Sequence, residues 1–397
     1  MTDLVIRVYD VRFGDAVLVT IPDKEAGKAV ERTILFDFGN ALGTEGGQDD
    51  VLEAVIDDII ARLKGKPLDL YVMTHEHLDH VQGMLHASEN LHKAIRARQV
   101  WLTGSADPDY YKTHKQAKKQ KIAALAAYQQ TAARLAASGS SSPYANVLLA
   151  NNDAKTTSKC VDYLRDKLTE PGNVRFVHRE MDLTAIQPAS SATVTLWAPE
   201  EDTADYYGRF KPVAAGLRIG DTFDFDDLDG LAVAEEDLAK PPSGVDAGAF
   251  YNLLDTRHGT ATSLLAIDQA SNNTSVVTLL EWKGWKLLFT GDAEKRSWKQ
   301  MDKLGLVKPV HFLKVSHHGS HTGMPPEDIV AKLLPLPKPA AVRPQAAVST
   351  YPKTYKGVPD EATTKELGKR VTLTSTRDLK PGKLFIEYKF SDKGPPA

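Results

Sequence analysis

Cysteine is nearly absent from the sequence: the chain of 397 residues contains one, Cys160. A single thiol excludes an internal disulfide framework, and it also excludes a zinc site built from several cysteines. This composition fits the cytoplasmic location that we expect for the protein.

Long hydrophobic runs are absent as well. No window approaches the roughly 18 uninterrupted apolar residues that a membrane-spanning helix requires. The N-terminal segment carries Asp3, Arg7 and Asp10 where a secretory signal would have an uncharged stretch behind a basic one. We therefore expect neither export nor a membrane partner.

An excess of positive charge is also lacking, since the formal net charge is -3 at pH 7. Any contact with nucleic acid must therefore come from a local basic patch. The stretch from 110 to 152 has no Asp or Glu, and its spacing predicts a long helix over Tyr110–Ala137. Lys112, Lys115 and Lys119 would share one face of that helix and could contact phosphates, the alternative being an ordinary solvated helix.

Short apolar runs rich in β-branched residues, such as Leu4–Tyr9 and Leu68–Met73, predict β-strands. The stretch Asp49–Lys64 has apolar residues at helical spacing and predicts a helix. Strands followed by strand–helix alternation occur in both halves of the chain. This order predicts an α/β protein in which two β-rich halves pack face to face with helices outside.

Histidines are concentrated, because six of the twelve fall in the windows 75–80 and 317–321. In the first window, His75, His77, Asp79 and His80 directly follow a predicted buried strand. Residues two apart in an extended segment point the same way, so His75 and His77 can bind one ion. Asp79 and His80 can then reach a second ion beside it, and these donors suit zinc, manganese or iron.

The second half of the chain supplies further candidate ligands. Asp292 ends a predicted strand after Gly291, which permits close approach, so its carboxylate can bridge two ions. His317 and His318 follow another strand and, being adjacent, point in different directions. We expect only one of them to bind metal directly, with His318 favoured because Gly319 relaxes the backbone. His321 is either a substrate contact or a surface residue.

Asp37 also ends a predicted strand. Its carboxylate is interpreted as an outer group that orients the histidine loop, the alternative being a turn cap. The tripeptide 14–16, Gly-Asp-Ala, is either a hairpin turn or part of the floor of a cleft.

The hexapeptide HEHLDH at 75–80 resembles the HxHxDH signature of the metallo-β-lactamase superfamily, with Asp37 and Gly291-Asp292 matching further positions. This resemblance implies an αββα sandwich of two mixed sheets and a hydrolase that uses a metal-activated water. The cofactors would be two divalent ions, zinc or manganese. The implied ligands are His75, His77, Asp79, His80, Asp292, His317 and His318, of which Asp79, Asp292 and His318 would be catalytic.

A closer similarity is to the hydrolase domain of ComEC-type competence proteins and its free-standing relatives. It is carried by the stretches 9–16 (YDVRFGDA), 272–275 (NNTS), 288–293 (LFTGDA) and 313–320 (LKVSHHGS). It implies phosphodiester hydrolysis of a nucleic acid or nucleotide. The expected substrate contacts are Asn273, Lys314, Ser320 and His321. The whole chain, 1–397, would form one domain with a helical, basic insertion at about 105–170 and an acidic loop or lid at about 219–263.

The chain departs from the family pattern at two places. Many members have a further histidine ligand between the hexapeptide and the bridging aspartate, and here the internal candidates, His178 and His258, lie in no recognisable motif. ComEC-like domains also often carry Gly-His-Pro near the end, where this chain has Gly-Val-Pro at 357–359. Two alternatives therefore stay open: a hydrolase of small esters, lactones or amides, and a non-catalytic binding or regulatory protein with a degenerate site.

Overall fold

In the computed structural model, the residues described are 2–40, 49–122, 153–206, 268, 270–337, 342–351 and 358–396. Contacts divide the chain into two compact units. The first unit consists of Met1–Tyr110, Asn151–Glu201 and Asn272–Ala397, and the second of Tyr111–Ala150 and Asp202–Ser271. The description of one domain with two insertions stays a prediction, and its acidic segment at 219–263 lies outside the described residues.

Two mixed β-sheets form the first unit. In chain order the strands are β1 (Leu4–Tyr9), β2 (Ala16–Glu25), β3 (Lys28–Phe38), β4 (Leu68–Val72), β5 (Ala97–Thr103), β6 (Val174–Val177), β7 (Ala192–Ala198), β8 (Val277–Trp282), β9 (Trp285–Phe289), β10 (Phe312–Lys314), β11 (Gln345–Val348), β12 (Thr372–Ser375) and β13 (Phe385–Phe390). The seven-stranded sheet has the order β13-β1-β2-β3-β4-β5-β6, and the six-stranded sheet has the order β12-β11-β10-β9-β8-β7.

Each sheet combines an antiparallel part with a parallel part. Strands β13, β1, β2 and β3 pair antiparallel, whereas β3, β4, β5 and β6 pair parallel. In the other sheet β7, β8 and β9 are antiparallel, and β9, β10, β11 and β12 are parallel. Parallel strands need crossover connections, and helices supply several of them.

The longer helices of this unit are α1 (Asp49–Leu63), α2 (Leu78–Glu89), α3 (Ala154–Asp166), α4 (Lys295–Lys303), α5 (Glu327–Leu333) and α6 (Glu361–Arg370). Three apolar clusters separate the layers. One lies between the seven-stranded sheet and α1, α2 and α3, one lies between the two sheets, and one lies between the six-stranded sheet and α4, α5 and α6.

Strand β9 shows how the sequence produces these layers. Leu287 and Phe289 face the cluster between the sheets, while Leu288 faces the helices, because successive side chains in a strand point to opposite sides. A strand buried on both faces reads as a continuous apolar run. The predicted fold class, helices on both sides of two face-to-face mixed sheets, is confirmed.

Three details differ from the sequence prediction. Helix α2 begins at Leu78, inside the hexapeptide that is interpreted from sequence as a loop. The edge strand β12 was not predicted. The predicted helix Tyr110–Ala137 is interrupted at His114, between Tyr110–Thr113 and helical residues 115–122. Over the part of the chain that is described, no helix has both the length and the apolar character needed to cross a membrane.

Candidate metal centre

The candidate site lies where parallel strands of both sheets end. Asp37 stands near the end of β3 and His75 follows β4, while Asp292 and His318 follow β9 and β10. The carboxyl ends of parallel strands meet at one edge of a sheet, where α/β proteins place their ligand sites. The two edges are tied together, because the backbone N–H of Val276 donates to the Thr74 carbonyl at 2.9 Å.

The three histidines of the hexapeptide form a buried group. His75 Nε2 lies 3.0 Å from His77 Nδ1, and the rings of His75 and His80 have centroids 4.2 Å apart. None of the three rings is more than 2% exposed. The hexapeptide therefore brings its imidazoles together, as its spacing predicts.

Asp37 fixes the orientation of His80. Its Oδ2 lies 2.8 Å from His80 Nδ1 and also accepts from the Thr74 hydroxyl at 2.7 Å. Its Oδ1 accepts from the Thr74 N–H at 2.7 Å. With Nδ1 held by a carboxylate, His80 presents Nε2 to the centre, which is the usual arrangement of a histidine that binds a metal.

The loop after β9 carries Asp292 and depends on Gly291. A Cβ on Gly291 would lie 2.8 Å from Thr74 Cβ, so only glycine lets this loop approach the loop after β4. Asp292 is then held by its own N–H, which donates to Ser275 Oγ at 3.0 Å. Ser275 belongs to the stretch 272–275 that the sequence singled out, and its role here is to support the aspartate.

His318 is held in a strained but well-defined position. Its Nδ1 lies 3.0 Å from the Ser349 carbonyl, and its Nε2 points to Asp79 Oδ2 at 3.1 Å. Its φ of 51° lies in the left-handed region, as do the φ values of Asp37 and His317. Such backbone costs on the order of 1–3 kcal/mol per residue and is concentrated at functional sites.

Asp79, His80, Asp292 and His318 form the centre of the site. All four are buried, and each offers one ligand atom within 4.8 Å of the others. His80 Nε2 lies 3.4 Å from one oxygen of Asp292, and His318 Nε2 lies 3.6 Å from the other. Asp292 thus stands between two imidazoles, which is the placement that a bridging carboxylate needs.

The electrostatics of this centre are strongly coupled. Burial disfavours the protonated rings, but Asp292 and Asp79 outweigh that cost and raise the pKa of His80 well above its ordinary value. The pKa of His318 is raised for the same reasons. Burial also disfavours the carboxylates, yet His80 and His318 hold the pKa values of Asp79 and Asp292 below their usual range. Burial lowers the pKa of His75 well below its ordinary value, so that ring stays neutral and can donate its lone pair.

The donor set fits a divalent metal ion. Among the described residues, Asp79 Oδ1, Asp292 Oδ1 and His80 Nε2 are shielded from solvent yet have no hydrogen-bond partner. Buried polar atoms are nearly always satisfied, so three such atoms in one cluster call for a missing partner. Imidazole nitrogen and carboxylate oxygen are ligands of zinc, manganese and iron. The buried His/Asp cluster could therefore hold metal ions.

His317 faces a different set of partners from His318. Its Nδ1 lies 3.3 Å from Glu294 Oε1 and 3.2 Å from Thr322 Oγ1. Its side chain is 14% exposed, whereas that of His318 is fully buried. The adjacent histidines thus point in different directions, and it is His318 that joins the central cluster.

The stretch 14–16 forms part of the wall of the centre. A Cβ on Gly14 would lie 2.6 Å from the Asp79 carbonyl, and the Asp15 N–H donates to that carbonyl at 3.0 Å. Gly39 packs on the same turn, since its Cβ would lie 2.5 Å from the carbonyl carbon of Asp79. Two glycines thus let neighbouring loops press directly on the backbone of a candidate ligand.

Gly39→Ala is therefore expected to displace the turn that carries Asp79. The added methyl needs about 1 Å more room than the backbone leaves, so we expect a loss of about 1–3 kcal/mol in unfolding free energy, together with weaker metal binding. Urea unfolding and a metal titration measure the two effects. Gly368→Ala is the matched control, because a Cβ there meets no atom within 4 Å and the position is helical. If both variants behave alike, the close packing at Gly39 is unimportant.

Two of the expected substrate contacts, Asn273 and Lys314, are buried and bonded to other side chains. Asn273 is 5% exposed, and its side-chain oxygen accepts from the hydroxyl of Ser297 at 2.7 Å. Lys314 is 2% exposed, and its ammonium lies 2.7 Å from Asp15 Oδ2. Both polar groups are buried and have protein partners, and their role as substrate contacts stays a prediction.

The other expected contacts lie nearer the surface. Ser320 is half-buried, with its hydroxyl 3.0 Å from that of Thr322, and the exposed His321 lies 2.9 Å from Lys295 Nζ. The lysines 112, 115 and 119 are exposed residues of the second unit. The helical assignment is interrupted at His114, between Lys112 and the other two, and their common basic face stays a prediction.

The further histidine that many family members carry has no counterpart among the described candidate ligands. His178 lies 3.2 Å from Glu180 Oε2 at the surface, as a polar residue at the end of a strand. His258 lies outside the described residues. Ser349 is a site residue that the sequence did not assign, and its contact with His318 reveals it. Asp15 was predicted only as part of the stretch 14–16, and its ion pair with Lys314 was not foreseen.

Comparison of the chain with protein-family models and with curated proteins yields no match. The two mixed sheets and the buried His/Asp cluster are compatible with a metallo-β-lactamase-like fold.

Proposed function

We propose that this protein is a metal-dependent hydrolase of the metallo-β-lactamase type that holds two divalent ions, zinc or manganese, and cleaves phosphodiesters. The observation that carries the proposal is the convergence of Asp79, His80, Asp292 and His318 in one buried cluster. Buried oxygen atoms of Asp79 and Asp292 that lack a hydrogen bond support it further.

The ligands divide into two neighbouring groups. His75 and His77 would hold one ion, and Asp79, His80 and His318 the other, with Asp292 shared between them. When bound, the ions would supply Lewis-acid activation of water and of the scissile bond. His317 would lie beside this pair without completing either group.

The chain's own residues prepare the site for that chemistry. Asp37 and the Ser349 carbonyl hold the Nδ1 atoms of His80 and His318, so that both Nε2 atoms face inward. Asp79 Oδ1, which is buried without a hydrogen-bond partner, would accept a hydrogen bond from the attacking water and thereby orient it. Burial of the cluster excludes bulk water and strengthens each of these interactions.

Phosphodiesters are the proposed substrates for two reasons. The four stretches similar to ComEC-type domains imply this reaction, and one of them, 272–275, directly supports Asp292. A pair of ions also suits in-line displacement at phosphorus, since the attacking and leaving oxygens can both be stabilised.

The test is elemental analysis followed by a substrate panel in zinc or manganese. The panel contains linear and circular DNA, RNA, cyclic nucleotides, a bis-aryl phosphodiester and a set of lactones. We expect about two metal ions per chain and cleavage of phosphodiesters that Asp79→Ala abolishes. Turnover of lactones alone would replace the proposal with a small-ester hydrolase. Absence of both metal and turnover would favour a binding protein.

A further inference from the structure

Helix α4 follows the candidate ligand Asp292 almost directly, since it begins at Lys295. In nine residues it carries Lys295, Arg296, Lys299 and two further charged residues, Asp302 and Lys303. This is a dense basic segment in a chain whose net charge is -3. It belongs to the same unit as the metal centre.

Helix stability accounts for Lys303, which lies in the last turn where a cation is favoured, but it does not account for Lys295 and Lys299. The first turn of the helix has basic residues and no acidic one, although the positive end of the helix dipole favours acidic side chains there. Its packing uses a different face, on which Ser297, Trp298 and Met301 are buried. Residues that oppose a local preference without serving the core are found most often at functional sites.

Several charges on the helix are neutralised and three lysines are not. Arg296 pairs with Glu200 at 3.2 Å, and Asp302 pairs with Lys332 at 2.7 Å. Within the described part of the chain, no carboxylate lies within ion-pair distance of the three lysines at 295, 299 and 303. Lys299 and Lys303 are exposed.

These lysines are spaced four residues apart and therefore lie along one side of the helix. At 1.5 Å per residue they extend over about 12 Å. The near end is joined to the site, because Lys295 N donates to the Thr322 carbonyl at 3.1 Å and Thr322 Oγ1 lies 3.2 Å from His317 Nδ1. Lys303 lies about 12 Å along the helix axis from Lys295.

We propose that Lys295, Lys299 and Lys303 form a basic track that binds the phosphate backbone of a polynucleotide substrate. The inference rests on the proposed phosphodiesterase function and narrows it from phosphodiesters in general to nucleic acid chains. A track of about 12 Å corresponds to roughly four phosphates of one strand of a duplex. A cyclic nucleotide or a small ester bound at the centre would not reach it.

The test compares Lys299→Gln/Lys303→Gln with a matched control, Lys24→Gln/Lys28→Gln. The control removes the same charge from two exposed lysines at the β2–β3 hairpin. That hairpin lies at the opposite end of β3 from Asp37. Binding of a fluorescent duplex oligonucleotide is followed by anisotropy in EDTA, which prevents cleavage, at several salt concentrations.

We expect the track variant to bind more weakly and the slope of log K against log salt to fall by about two, one per lysine. The control should keep the wild-type slope. Equal slopes in all three proteins would overturn the inference. Unchanged DNA binding with loss of binding to polyglutamate would also overturn it, and would indicate an acidic protein partner.

Failure of the track can be told apart from failure of the proposed function. Hydrolysis of a bis-aryl phosphodiester by the wild type is measured on the same preparation and does not depend on the track. If the wild type hydrolyses the bis-aryl phosphodiester but the lysine variant keeps the wild-type salt slope, only the track is refuted. A changed slope without any phosphodiester hydrolysis supports the track as a nucleic acid contact and refutes the proposed reaction.

Discussion

Asp292→Asn is expected to remove bound metal and to lower the rate of phosphodiester hydrolysis by more than a factor of about 100. Outer groups that only orient a ligand cost about 10–100-fold when changed, and Asp292 stands at the centre, between His80 and His318. Asn keeps the size of the side chain but loses the negative charge that offsets a cation. Metal per chain and kcat/KM are the two measurements.

Asp37→Asn is the matched comparison, because Asp37 contacts His80 without belonging to the central cluster. We expect this variant to retain metal at saturating concentration and to lose about 10–100-fold in affinity or rate. Full metal content and full activity in Asp292→Asn would show that the carboxylate is no ligand, and the hydrolase proposal would fail with it.

The same experiment has a pH dependence with a definite sign. The pKa values of His80 and His318 are raised, so without metal these rings stay protonated at a higher pH than free histidine. A metal must displace those protons, so its apparent affinity should increase as pH rises through the raised pKa values. In Asp292→Asn the largest attraction on the His80 proton is lost, so any residual metal binding should depend less on pH.

Local sequence patterns predicted most elements of the fold but not how they pair. The strand Leu4–Tyr9 was predicted, yet one of its partners is β13, at the opposite end of the chain. Pairing across such a distance depends on which apolar faces meet, and periodicity within a window carries no information about that. The edge strand β12 was missed because its four residues, Thr372–Ser375, are only partly buried and do not alternate clearly.

The candidate ligands could be predicted because each follows a recognisable strand and a short motif. The residues that hold these ligands in place could not be predicted, since they act through tertiary contacts. Ser349, for example, holds His318 through its backbone carbonyl, which no sequence motif reveals. The misplaced start of α2 has a physical reason as well. Asp79 occupies the first turn of that helix, where an acidic residue is favoured, although in the sequence it read as part of a loop.

Lys314→Met is expected to lower the free energy of unfolding by about 3–5 kcal/mol. The ammonium of Lys314 lies 2.7 Å from Asp15 Oδ2, and both side chains are at most 4% exposed. Removing the lysine leaves the Asp15 carboxylate buried without its ion-pair partner, although Ser349 Oγ still donates to it and His318 lies near enough to interact with its charge. A buried charge without its counter-charge costs far more free energy than a buried ion pair. The loss of unfolding free energy therefore comes mainly from the Asp15 carboxylate that is left unpaired.

The double variant Asp15→Asn/Lys314→Met separates this cause from simple loss of packing. It removes both charges, while the amide oxygen of the new Asn can still accept a hydrogen bond from Ser349. Its loss of unfolding free energy should therefore be smaller than the sum of the losses in Asp15→Asn and Lys314→Met. Lys332→Met is the control, because Lys332 also lies 2.7 Å from its partner, Asp302, but is 53% exposed. We expect less than about 1 kcal/mol there. Guanidinium unfolding of the two single variants, the double variant and Lys332→Met measures their free energies of unfolding. Equal losses of unfolding free energy in Lys314→Met and Lys332→Met would mean that burial does not govern how much the Asp15–Lys314 pair contributes to stability.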